Sequence, residues 1–181
     1  LKHNKALADL TKEQLCELIE IYSKNWLAMD GVWFQSVEQK CGMDEAMWHD
    51  AQAWKRFTVI EARRIKAFLN LPERAGLEGL AKALGYRLYA NLNRDEIVIK
   101  GNTLLYRTLE CRVQRAREGK GMPLHPCKSV GIIEYTGFAR EIDDRFTCEC
   151  LSCYPDVTDE TCNCGWLFTL HEKENVLSVG K

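Results

Sequence analysis

Nine cysteines in 181 residues depart from ordinary composition, and seven of them, Cys111, Cys127, Cys148, Cys150, Cys153, Cys162 and Cys164, fall within residues 111–164. Thiolate is a soft, charged ligand, and a reducing cytosol leaves such a cluster little reason to persist other than a metal. The two-residue gap of Cys150-Leu-Ser-Cys153 lets both sulfurs reach one ion or two corners of a cluster. In Cys148-Glu-Cys150 and Cys162-Asn-Cys164, both sulfurs share a face only where the backbone is a strand. No histidine has a natural place in the set, since His125 stands two residues before Cys127 and His171 at the end of the last apolar run. An all-sulfur site is therefore expected, fitting structural zinc or an iron–sulfur cluster, although the spacing matches neither a ferredoxin run nor a zinc ribbon. The plain alternative makes Cys111 and Cys127 small buried hydrophobes, and a disulfide framework requires an export signal upstream. No Ser-His-Asp order, P-loop or dinucleotide fingerprint is present, and neither His49 nor His125 has a partner at catalytic spacing.

The elements that must position these thiols are legible from periodicity. Thr11-Lys-Glu-Gln14 forms a capping box, and Leu15, Leu18, Ile19, Tyr22, Trp26, Met29, Trp33 and Val37 then recur every three or four residues. A helix of about six turns is expected, burying this aromatic-rich stripe and ending near Cys41-Gly42. Asp44 is expected to cap a second helix through Trp54, Thr58, Ala62, Ile65 and Leu69 that Pro72 ends. A third carries Leu77, Leu80 and Leu84, with Gly85 as a left-handed cap. Beyond Asn93 the pattern changes to a hairpin, 97–99 and 103–109, around Gly101-Asn102. Cys111 leads into a short basic helix that Gly119 and Gly121 terminate, and Cys127 opens another helix bearing Gly131, Tyr135, Phe138 and Ile142. A thiol at a helix N-terminus is favoured as thiolate. Residues 145–150 and 166–171 read as two further strands. The expected fold is α+β: a helical part, 1–92, then a cysteine-rich α+β part, 93–181, with a small antiparallel sheet, covering helices and the metal site, docked into one domain.

Charge narrows the function classes. The net charge is −1 and neither half of the chain departs far from neutrality, so an electrostatic grip on nucleic acid is not expected. No run approaches the roughly 18 apolar residues of a membrane span. The first ten residues hold no signal-peptide core, which makes the cytoplasm the expected compartment. Arg107, Arg112, Arg115, Arg117, Lys120 and Lys128 form a basic stretch beside Cys111 and Cys127, suited to offsetting thiolate charge or holding an anionic ligand, or simply to a solvated helix face. Tyr22, Trp26, Trp33, Phe34 and Trp54 either wall an apolar pocket or belong to the core. Glu134, Asp143 and Asp144 are candidate acid–base groups.

Cys111-Arg-Val-Gln114, Pro126-Cys127-Lys-Ser-Val-Gly131, Glu134-Tyr135-Thr-Gly-Phe138-Ala139, Ile142-Asp143, Cys150-x-x-Cys153 and Cys164-Gly-Trp166-x-Phe168 resemble an uncharacterised family found mainly in anaerobic bacteria and archaea. Asn25-Trp26-Leu-Ala-Met-Asp30-Gly31 and Trp33-Phe34 resemble its opening helix, so the likeness spans most of the chain. That family is similar to 2-amino-thiazoline-4-carboxylate hydrolase-like proteins and, remotely, to the vinyl-reductase-type small-molecule-binding domain. The resemblance implies helices over one face of an antiparallel sheet, enclosing a pocket. It implies Cys111, Cys127, Cys150, Cys153 and Cys164 as metal ligands, one more than four positions require. Arg112, Lys128 and Tyr135 are the expected contacts to a cofactor or ligand. An iron–sulfur cluster is favoured over zinc on the anaerobic likeness, in a protein of redox chemistry or sensing. The alternatives are a hydrolase of the thiazoline-carboxylate type, with Cys127 or a metal-bound water as nucleophile, and a zinc-stabilised non-catalytic partner subunit. A small-molecule ligand is expected, with a protein partner or homodimer possible.

Overall fold

In a computed structural model of the chain, residues 4–172 are described; the first three residues and the end of the expected second part, 173–181, lie outside them. Helix α1, Lys12–Cys41, begins on the expected capping box: Gln14 N donates to Thr11 Oγ1 at 3.2 Å and Thr11 N to Gln14 Oε1 at 2.9 Å. Only Gly42, at φ 90°, separates it from α2, Met43–Phe68. That tight reversal leaves Asp44 no place outside the helix. It stands in the first turn with Glu45, facing the positive end of the dipole instead of capping it.

The stripe read on α1 is not its buried face. Ser23 and Phe34 are the residues α1 buries, whereas Ile19, Tyr22, Met29 and Trp33 are exposed. The buried line runs through Ser23 and Phe34 to one side of the stripe, and from the stripe itself Trp26 reaches Trp54 and Phe57 of α2 and Trp33 reaches His49. Helix α2 follows expectation, burying Ala46, Asp50, Trp54, Thr58, Ala62 and Ile65 at helical spacing. Helix α3, Gly76–Leu84, ends on Gly85 at φ −70°, so the expected left-handed cap is absent and a further turn, Leu88–Asn91, follows.

Strands β1, Arg94–Lys100, and β2, Thr103–Glu110, form the expected hairpin, with Gly101 at φ 59° in its turn. Helix α4, Arg112–Glu118, and α5, Lys128–Ile142, precede β3, Phe146–Cys153, and β4, Cys164–Leu170. All four strands pair antiparallel in the order β1-β2-β4-β3. The fold is α+β, as the sequence reads.

Helix α5 lies between the sheet and α2, and glycines set both approaches. A Cβ on Gly131 would stand 2.7 Å from the Trp166 ring, and one on Gly137 would stand 2.7 Å from Thr58 Cγ2. The apolar core joins Ala62, Leu80 and Leu84 of the helical part to Leu104, Phe138 and Phe168 of the later part.

Candidate functional site

The register of β3 on β4 decides which cysteines meet. Cys148, Cys150 and Cys153 pair with Phe168, Trp166 and Cys164, alternate residues of β4 that share the face turned toward α5. A separation of three would ordinarily put Cys150 and Cys153 on opposite faces. The bulge between Cys150 and Ser152 absorbs one residue and returns Cys153 to the face of Cys150. Cys162 lies beyond the start of β4 on the other side, beside Gly165, with its sulfur 3.5 Å from Asp159 Oδ2. It belongs to a separate polar cluster with Arg107.

A cavity of about 360 Å³ opens where α1, α2, α4 and α5 converge on the ends of β2, β3 and β4, and Cys111, Cys127, Cys153 and Cys164 line it. Cys111 precedes α4, its N–H donating to Asn163 Oδ1 at 2.7 Å. Cys127 is the residue before α5. Cys153 is neighboured by Cys127, Cys150 and Cys164, near enough for their thiols to interact. The neighbouring Cys127 and burial hold the Cys153 thiol up, and the neighbouring Cys153 and burial do the same for Cys164. Burial raises Cys111 to about 11. Two polar atoms at Cys164 oppose this: Trp166 Nε1 and Thr108 Oγ1 are buried without a well-formed hydrogen bond, and both stand close enough to the sulfur to favour its thiolate. Such donors suit a sulfur that carries charge.

Among the described residues, no group of three or more Cys, His, Asp or Glu side chains is arranged to hold a metal ion. The donor chemistry nevertheless fits a soft metal: adjacent thiols that resist ionising together are ones a bound cation would hold as thiolates. Cys150 neighbours Cys153 but borders a second, shallower hollow with Cys148 and Lys128. Burial pushes Cys148 up to about 12.

The facing wall is built differently. His125 Nδ1 is 3.1 Å from Cys127 Sγ, and His125 Nε2 is 3.4 Å from Asp50 Oδ2, with both His125 and Asp50 buried. Gln114 fixes this loop. Its Nε2 donates to His125 O at 2.8 Å and to Cys127 Sγ at 3.2 Å, while its Oε1 accepts from His125 N at 2.9 Å. Asp30 lies beside Asp50 and His125, and burial, helped by the Asp50 charge, raises it to about 6. Behind the wall, the wholly buried Arg87 bonds Glu61 at 2.9 Å and Glu134 at 2.6 Å, and stands over the Phe138 ring at 4.8 Å. Two carboxylates hold Arg87 charged, while burial raises Glu134 to about 7 against the pull of Arg87. One cation thus serves two buried carboxyl groups, and burial favours the protonated form of Glu134 more than in water.

The absence of a histidine partner in local spacing was misleading, because Asp50 approaches His125 from 75 residues upstream. The signal available was a carboxylate in the middle of the Ala46–Trp54–Thr58 apolar stripe. Asp30, Gln114 and Glu61 carry no comparable spacing signal. Of the expected ligand contacts, Arg112 and Tyr135 line the cavity, whereas Lys128 pairs with Asp156 at 2.7 Å outside it. Phe34 and Trp54 wall the cavity, and Trp26 stacks on Phe57 behind it. Asp143 and Asp144 are engaged by Arg145 and Arg74, away from it.

No helix among the described residues is long and apolar enough to cross a membrane. No curated protein matches the chain. A family model does, over residues 7–170, nearly the whole of the described fold and both walls of the cavity. The chain belongs to a family of unknown function, DUF6125.

Proposed function

We propose that this chain is a small-molecule-binding protein whose cavity carries a metal–thiolate centre on its strand wall, an iron–sulfur cluster or zinc. The observation behind the reading is the position of Cys153, neighboured by Cys127, Cys150 and Cys164, with Cys111 on the same cavity. Cys111, Cys127, Cys153 and Cys164 are the ligands, and Cys150 is the spare thiol. When bound, a cluster supplies one-electron chemistry or sensing, and zinc supplies Lewis acidity. The chain's own residues do the rest. Trp166 and Thr108 steady the Cys164 sulfur, while Phe34, Trp54 and Tyr135 exclude water from an apolar ligand.

Anaerobic purification with metal analysis and a visible spectrum tests it. Iron, sulfide and broad visible absorption, or stoichiometric zinc without colour, is the expected result, lost in Cys153→Ser and kept in Cys162→Ser. Protein free of both metals, or metal retained equally by the two variants, overturns it.

The Cys127–His125–Asp50 line favours a second reading, a cysteine enzyme acting on a small electrophile. There the imidazole takes the thiol proton, Asp50 orients it, and Gln114 holds the loop. In metal-free protein this reading expects alkylation of Cys127, followed by mass spectrometry, to slow at least tenfold in His125→Ala. An unchanged rate rejects it.

A further inference from the structure

Helix α1 is charged on the wrong side for a helix that faces water. Between Lys12 and Lys40 its charged residues are Glu13, Glu17, Glu20, Lys24, Asp30 and Glu38, and at 3.6 residues per turn all fall on the half of the helix that includes the core and cavity side. The opposite half is uncharged for roughly 35–40 Å. That half is open to solvent: Met29 is 69% exposed, Val32 64%, Tyr22 59%, Ile19 54% and Trp33 46%. Leu15, Ile19, Tyr22, Trp26, Met29 and Trp33 are spaced alternately by four and three, the repeat by which two helices pack along a seam. Trp26 packs within the fold against Trp54 and Phe57, and Trp33 sets one edge against His49 while keeping the rest of its ring open.

We infer that this face of α1 is a homodimer interface, covered by the same face of a second copy about a two-fold axis. The exposed parts of Leu15, Ile19, Ile21, Tyr22, Met29 and Trp33 amount to roughly 600 Å² per copy, near the lower end for one side of a standard-size interface. Depletion of charge at the centre with charged residues along one edge is the composition of an interface core and rim. A surface without charge selects no charged partner, whereas a seam of heptad spacing is complemented by another of the same spacing, which the chain itself supplies. The inference is independent of the cavity's chemistry.

Sedimentation velocity of the full chain over a micromolar dilution series tests it. The wild type should sediment at twice the 20.8 kDa chain mass. Met29→Glu and Tyr22→Glu should each raise the dimer dissociation constant at least about 30-fold, the effect of losing an interface hot spot. Glu17→Lys, on the charged side, should leave it unchanged. Should either stripe variant fail to fold by circular dichroism, Ile19→Glu replaces it. A wild-type monomer at tens of micromolar, a dimer that all stripe variants keep unchanged, or a monomer that instead co-sediments with phosphatidylcholine vesicles overturns the inference.

Discussion

The two walls of the cavity solve the same problem, keeping polar groups out of water, with opposite chemistry. On the strand wall burial and neighbouring thiols raise Cys153 and Cys164, so these two are held neutral. The helix wall buries charge and compensates it within the fold through Arg87 between Glu61 and Glu134, and it sets the polar His125 against Asp50. A wall of neutral thiols is adjustable by a metal or an oxidant. A wall of matched charges is fixed at folding, and disturbing it is expensive. The stability of the protein should therefore respond far more to changes in the helix wall than to changes in the strand wall.

The largest effect tests the buried cation. Arg87→Met keeps the bulk but leaves Glu61 and Glu134 facing each other without compensation, at an expected loss of about 3–5 kcal/mol in denaturant unfolding. Glu134→Gln should lose less, because that carboxyl already tends to hold a proton near neutral pH. Equal losses in the two variants would show that Glu134 is ionised in the fold and that its pairing with Arg87 carries the stability.

Asp30 gives an intermediate effect with a defined sign. Its carboxyl titrates near 3.8 in an open chain and near 6 in the fold, so the folded state holds a proton to higher pH than the unfolded state. Stability therefore falls as pH rises through this window, by about 2–3 kcal/mol once both states are ionised. Asp30→Asn removes that loss. Urea unfolding should find the variant comparable to wild type near pH 4 and more stable above pH 6.5. A variant no more stable at neutral pH would mean that the Asp30 charge is compensated in the fold, as the other charges of the helix wall are.

How far each wall could be read in advance follows from the range of the interactions that build it. The strand wall is local: Cys111 before a helix, Cys127 before the next and Cys150-x-x-Cys153 in a strand stood in the sequence as positions. Their convergence depends on one bulge, which no spacing rule supplies. The helix wall is long-range, since Asp50, Asp30 and Glu61 meet His125 and Arg87 only after α1 and α2 fold back on each other. The outer face of α1 shows the same limit. Periodicity identified Ile19, Tyr22, Met29 and Trp33 as sharing a side, but a stripe reads alike whether its cover is the chain's own core or another chain.

The smallest expected effect is the sharpest on the strand wall. Thr108 Oγ1 is buried among the Cys164 sulfur, Asp95 and the Tyr106 hydroxyl without a well-formed hydrogen bond to any of them, so in metal-free protein the hydroxyl is a desolvated group with little return. Thr108→Val replaces it with a methyl of the same shape. Removing an unsatisfied polar group from a packed site is neutral or stabilising, so the unfolding midpoint should hold or rise, by no more than about 1 kcal/mol. With metal present the sign should reverse, because the hydroxyl then faces a charged sulfur, and losing such a supporting contact weakens metal affinity by roughly 10-fold or more. Equilibrium unfolding with and without zinc, on wild type and variant side by side, separates the two states. Destabilisation of the metal-free variant by more than 1 kcal/mol would show that Thr108 is already hydrogen-bonded, and would place on the strand wall the fixed polar compensation that otherwise distinguishes the helix wall.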